Sequence, residues 1–218
     1  MRKLLLAGVA VATFGVAGSA SAQTAPPPSR DATWGGVTDA TLVAAVSAGL
    51  LMPRIFYPGS EVTTGWHARW HYSVLAPMMT YSTFAFVNEN FLKAKIKGPR
   101  PGCDDTNQGG PGCADFGSPS THAFGAGATL GHGLAVFIID TTKWSDGQVS
   151  GLGLFGHVGI PLILGGITVV GRSAGNYENA GQLAAGATLG LGIGFLTGML
   201  YSTMARPECG YSGSMICW

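Results

Sequence analysis

Three cations and a histidine stand where apolar stretches of this chain begin or end. Lys93 and Arg100 bracket a basic run that closes one stretch, with Pro101 directly behind. Ser118, Pro119, Ser120, Thr121 and His122 open the next, and Gly171 and Arg172 close a third, followed by Glu178 and Gln182. Residues of these types make an anion site. Guanidinium forks match phosphate oxygens at two points. A helix starting after Pro119 offers unpaired N–H groups and partial positive charge, and Ser120 adds a hydroxyl at that end. His122, beside those donors, can hand a proton to a leaving oxygen.

The order and spacing resemble the type-2 phosphatidic acid phosphatase and haloperoxidase superfamily, whose signature reads K-x6-R-P, then P-S-G-H, then S-R-x5-H-x3-D. Lys93 through Arg100 and Pro101 match the first part in full. Pro119, Ser120, Thr121 and His122 match the second with Thr for Gly, and Gly171 and Arg172 match the third with Gly for Ser. The resemblance spans roughly residues 40–204. It implies that Lys93, Arg100 and Arg172 hold a phosphate, that Ser120 and Thr121 assist, and that His122 is the acid. It also implies a phosphomonoester or lipid phosphate as substrate, with no metal and no cofactor.

One departure touches the chemistry itself. The attacking His of the third motif falls at Glu178 and its orienting Asp at Gln182, and residues 173–182 contain neither His nor Asp. Glu178 could attack phosphorus as a carboxylate nucleophile, act as a base on water, or pair with Arg172, Arg100 or Lys93 and so neutralise the pocket. Gln182 could donate to the Glu178 carboxylate. Three functions compete: a phosphate-ester hydrolase with His122 and Glu178 as its catalytic pair; a silent relative that binds phosphate, a lipid headgroup or a partner protein; and, ranked last, a vanadate-dependent peroxidase. Geometry separates the first two. A hydrolase needs Glu178 across from His122 with the cations between them, whereas a closed Glu178–Arg172 salt bridge favours binding or structure.

The elements that must position these residues read as helices. An all-α, compact bundle of five or six apolar helices is expected, with the motif loops at one end. The expected helices run over about 39–52, with Thr38 as N-cap and Pro53 as stop; 66–92, kinked at Pro77; 119–139; 150–170; and 178–204. Gly98 to Ser118 reads as an ordered loop. The stretches 123–139 and 182–204 contain no Asp, Glu, Lys or Arg. Several segments approach the length of a membrane span, and a buried core with one membrane-facing side explains the same pattern. The strict alternation of an outer-membrane barrel is missing. His132 and His157, inside apolar stretches, read as hydrogen-bonded core or helix-interface residues.

Residues 1–22 read as a secretory signal, with Arg2 and Lys3, an apolar stretch and Ala20-Ser21-Ala22 before the cut; an uncleaved anchor is the alternative. Residues 23–36 read as a Pro/Gly linker and 37–218 as the phosphatase-like domain. Losing Arg2 and Lys3 leaves ten Lys and Arg against eleven Asp and Glu, a formal charge of −1, which does not point to nucleic acid. Charged residues make up 11% of the chain, under half the usual soluble share, which with 35 glycines suggests close-packed helices in or on a membrane. Expected partners are therefore a phosphate-containing small molecule or lipid and a membrane, in an exported, periplasmic protein. Four cysteines outside the apolar stretches read as disulfides, most simply Cys103–Cys113 and Cys209–Cys217, with a zinc site as the alternative. His67 and His71 have a metal-ligand spacing but no third ligand, so a polar or interfacial helix face is preferred; Trp66 and Trp70 beside them fit a membrane-interface belt or, equally, a buried core face. Asp104 and Asp105 read as a solvated loop or a cation site.

Overall fold

The computed structural model describes residues 30–55, 75–104, 106–110, 113–144, 149 and 151–204. Among these the chain forms five helical runs and no strand, the all-α bundle expected. Helix α1 is Ala32–Ile55. Helix α2 is Ala76–Val87, continued by a π-helical turn, Asn88–Leu92, and a last α turn, Lys93–Ile96. Helix α3 is Thr121–Ile139 with a π turn at Asp140–Trp144. Helix α4 comprises Gly151–Leu154, a π turn at Phe155–Gly159, and Ile160–Ala174; helix α5 is Ala180–Met204.

The centre of the bundle is the seam between α3 and α5. Gly186, Gly190 and Gly194 recur every fourth residue along one edge of α5. A methyl group on Gly190 would strike the carbonyl oxygen of Phe124, and one on Gly194 that of Ala128. Small residues at this spacing let two backbones touch. The seam pairs Ser120 with Gly186, Phe124 with Gly190 and Ala128 with Gly194, so α3 and α5 run parallel from the same end. Helix α1 runs with them, since Leu42 meets Gly125 and Gly49 meets Thr129. Helix α4 returns antiparallel: Trp34 and Thr38 cover Gly171, and the Thr41 and Thr168 hydroxyls bond at 2.8 Å. Helix α2 also returns, with Tyr81 near His132 and Asn88 near Thr121. The starts of α1, α3 and α5 and the ends of α2 and α4 therefore gather at one pole, as the motif order requires.

Three helices, Thr121–Lys143, Gly151–Ala174 and Ala180–Thr203, are long and apolar enough to cross a membrane. Leu162, Ile163, Val170, Leu196 and Leu200 point outward from them. His132 is buried against Tyr81, whose hydroxyl lies 2.7 Å from Nδ1, and His157 is buried 3.7 Å from the Asp140 carboxylate. Both belong to the interior of the bundle, as expected.

Several boundaries differ from expectation. Helix α1 begins at Ala32, inside the segment expected as linker, and continues two residues past Pro53. Thr38 is not its N-cap. Its hydroxyl bonds back to the Gly35 carbonyl at 2.9 Å within the helix, and the Asp31 carboxylate caps the start through the Thr33 N–H at 2.8 Å. Packing of Gly35 on Tyr177 and of Trp34 on Gly171 holds these first turns, which outweighs their weak propensity. The helix expected from Trp66 is described from Ala76 onward, and it runs through Lys93 to end at Lys97, which takes a left-handed conformation with φ 50°. The signal segment, the stretch holding His67 and His71, and the Cys209–Cys217 pair lie outside the described residues.

Candidate anion pocket

Ser120 is the N-cap of α3. Its backbone is extended and its Oγ accepts from the Ala123 N–H at 3.0 Å. The same hydroxyl donates to Glu178 Oε2 at 2.6 Å. Glu178 sits in the short turn between α4 and α5, only 2% exposed. Arg172, in the last turn of α4, donates to it through Nε at 3.3 Å and Nη2 at 3.5 Å, and Arg100 Nη1 lies 3.7 Å from Oε1. One carboxylate thus takes a hydroxyl and two guanidinium groups, the donor set a tetrahedral oxyanion would require. The Tyr177 ring lies 4.3 Å beneath the Arg172 guanidinium and fixes its plane.

Every cation of the site has an acid of its own. Arg100 binds Asp115 through two parallel bonds, Nε at 3.0 Å and Nη2 at 2.5 Å, and donates to the Tyr177 carbonyl at 3.0 Å. Lys93 donates to Glu89, one helical turn earlier, at 2.7 Å, and Thr121 donates to the same Glu89 oxygen at 2.5 Å. Burial pushes the Glu89 carboxyl up, but the bonds from Lys93 and Thr121 and the charges of Lys93 and Arg100 outweigh it, leaving it below the usual range. Asp115 is held low in the same way, burial being outweighed by the bond and charge of Arg100 and the charges of Arg30 and Lys93. Lys93, Arg100 and Arg172 thus face Glu89, Asp115 and Glu178, three against three.

His122 stands apart from this cluster. Its Nε2 lies 2.7 Å from Asp39 Oδ1 on α1. No hydrogen bond or ion pair joins His122 to Glu178 among the described residues; Glu178 instead closes a salt bridge with Arg172, 3.3 Å from its Nε. Gln182 also differs. Its side-chain Oε1 accepts from the Asn179 N–H at 2.9 Å while Asn179 Oδ1 accepts from the Gln182 N–H at 3.0 Å, a reciprocal cap on α5. Its amide donates to the Pro99 carbonyl at 2.7 Å rather than to Glu178. Position three of a helix directs a side chain back over its own first turn, and there the Arg100 loop is in reach.

The Arg100 loop is pinned at both ends. Gly98 pairs with Ser118 as an isolated antiparallel bridge, and Cys103 and Cys113 form the expected disulfide. The Asp104 carboxylate accepts from the backbones of Thr106 and Asn107 and from the Thr106 hydroxyl, closing a turn of its own. No group of three or more His, Cys, Asp or Glu able to hold a metal occurs among the described residues.

Sequence reasoning did not single out Asp39, Glu89, Asp115 or Tyr177. Only Glu89 had a local signal, its spacing of four from Lys93 on one helix. The others meet their partners through tertiary contacts that no spacing announces. No protein-family model, curated protein or solved structure matches this chain.

Proposed function

We propose that this chain is an exported, membrane-associated, phosphatase-like protein that does not hydrolyse phosphate esters, because its own Glu178 occupies the anion pocket. One observation carries the reading: Ser120, Arg100 and Arg172 converge on the Glu178 carboxylate. A buried carboxylate in that position repels a second anion and uses the donors a phosphate would need. The cluster then serves as a clamp joining the start of α3, the end of α4, the start of α5 and the Arg100 loop. The disulfide suits an oxidising compartment such as the periplasm, and the three span-length helices suit association with a membrane.

A second reading, a phosphate-ester hydrolase, is favoured by the His122–Asp39 pair. His122 is 25% exposed, and the Asp39 carboxylate could orient it as a general acid. The discriminating experiment is hydrolysis of a generic phosphomonoester and of a short-chain phosphatidic acid by the full protein beside His122→Ala and Glu178→Ala. No turnover above the uncatalysed rate is expected from the wild type. Turnover that both substitutions abolish would establish the hydrolase instead.

A further inference from the structure

Among the described residues, helix α2 buries few side chains. Pro77, Asn88 and Lys93 are buried on its inner side, while Met79, Phe84, Phe86, Phe91 and Ile96 are exposed. Phe86 and Phe91 pack against one another edge to face, with ring centroids 6.3 Å apart, outside the protein core. Lys95 stands one helical turn beyond Phe91, and Lys97 follows at the helix end. Both are exposed, and neither forms an ion pair among the described residues. Lys93, two residues before Lys95, is by contrast buried and bound to Glu89.

We propose that the outer side of α2 from Phe84 to Lys97 is a docking surface for anionic lipid, with the phenylalanines among the acyl chains and Lys95 and Lys97 on the headgroups. Charge and position together support this occupant. Exposed phenylalanines followed by two cations that form no ion pair among the described residues match the step from hydrocarbon to a negatively charged headgroup layer, and the exposed Glu89 between them is already neutralised by Lys93. Lysine stems can lie along the apolar side while the ammonium reaches the interface. Each cation near such a surface favours anionic over zwitterionic lipid by about fivefold. The surface ends at the pole that holds the Arg100–Glu178 cluster, so the lipid belongs to the leaflet on that side. The inference rests on the membrane association proposed above and not on whether the pocket hydrolyses anything.

The test uses the full chain reconstituted into phosphatidylcholine vesicles containing a minority of phosphatidylglycerol. Flotation with the vesicles first reports association. Tryptophan emission of Phe91→Trp, less the wild-type background, is then compared with either the phosphatidylglycerol or an equal fraction of the phosphatidylcholine brominated. Quenching should be several-fold stronger from phosphatidylglycerol. That preference should shrink at high salt and vanish when Lys95→Gln and Lys97→Gln are added. Equal quenching by the two lipids would overturn the headgroup assignment. Absence of quenching in floating protein would mean that protein covers this surface, and absence of flotation would remove the membrane reading with it. Phe86→Trp serves as the second probe should Phe91→Trp fail to fold.

Discussion

The charged pole and the α3–α5 seam hold the molecule together by opposite means. At the pole, long side chains from four segments meet through hydrogen bonds and opposed charge, and Ser120, Arg100, Arg172 and Glu178 depend on one another. Along the seam, Gly190 and Gly194 bring backbone against backbone with no side chain between. A charge cluster tolerates a replacement of like charge and responds to ions in solution. A glycine seam tolerates no added atom and is indifferent to salt. The pole is thus the region where a ligand could be exchanged for a protein group, and the seam is the scaffold that keeps the pole in register.

The largest expected effect breaks the pole. Glu178→Ala leaves two buried guanidinium groups without their shared acid, a loss of about 3–5 kcal/mol, or about 2–4 °C of melting temperature per kcal/mol for a domain of this size. Millimolar phosphate should recover part of that loss, because the emptied position then accepts an oxyanion. Next is Ser120→Ala, which removes both a helix cap and a hydrogen bond to a charged group. About 2–4 kcal/mol should be lost, read from the same melting curves. Gly190→Ala tests the other side of the comparison. Its methyl meets the Phe124 carbonyl, the expected cost is about 1–3 kcal/mol, and phosphate should give no recovery. Recovery of Gly190→Ala by phosphate would show that the two regions are not independent.

The smallest effect is a pH dependence at the rim. Glu89 and Asp115 are held below the usual carboxylate range. Their contribution is therefore complete above the unfolded carboxylate values of about 4 and is lost as pH falls through their lower folded values. The double variant Glu89→Gln, Asp115→Asn should melt below the wild type at neutral pH and converge with it under acid. Both carboxylates are about half exposed, which keeps the gap small.

Much of the fold was legible from residue order. Apolar stretches free of charge, such as 182–204, predicted helices α3 to α5 with boundaries close to those found, since Ser120 and Asn179 are good caps. The start of α1 was not legible. Its first turns contain Gly35 and Gly36 and exist because Trp34 and Gly35 pack on Gly171 and Tyr177 from the far end of the chain. At the pole, the candidate residues were visible as types and spacings, and Arg100 and Arg172 do meet on one carboxylate. The acids that neutralise them were not visible, because Asp115 and Asp39 reach Arg100 and His122 only after the loop and α1 have docked. Glu178 was visible as a departure from the pattern the sequence resembles, and its type left three roles open. Only the folded chain shows its partners, the Ser120 hydroxyl and the Arg172 guanidinium.

The most direct measurement is the binding of phosphate and vanadate, followed by calorimetry, to the wild type and to Glu178→Gln. An occupied pocket predicts no measurable binding to the wild type. It predicts binding to Glu178→Gln that is lost again when Arg172→Ala is added, since the amide removes the resident charge and leaves the donors in place. Binding to the wild type that Glu178→Gln does not strengthen would contradict it, and Glu178 would then belong beside the ligand rather than in its position.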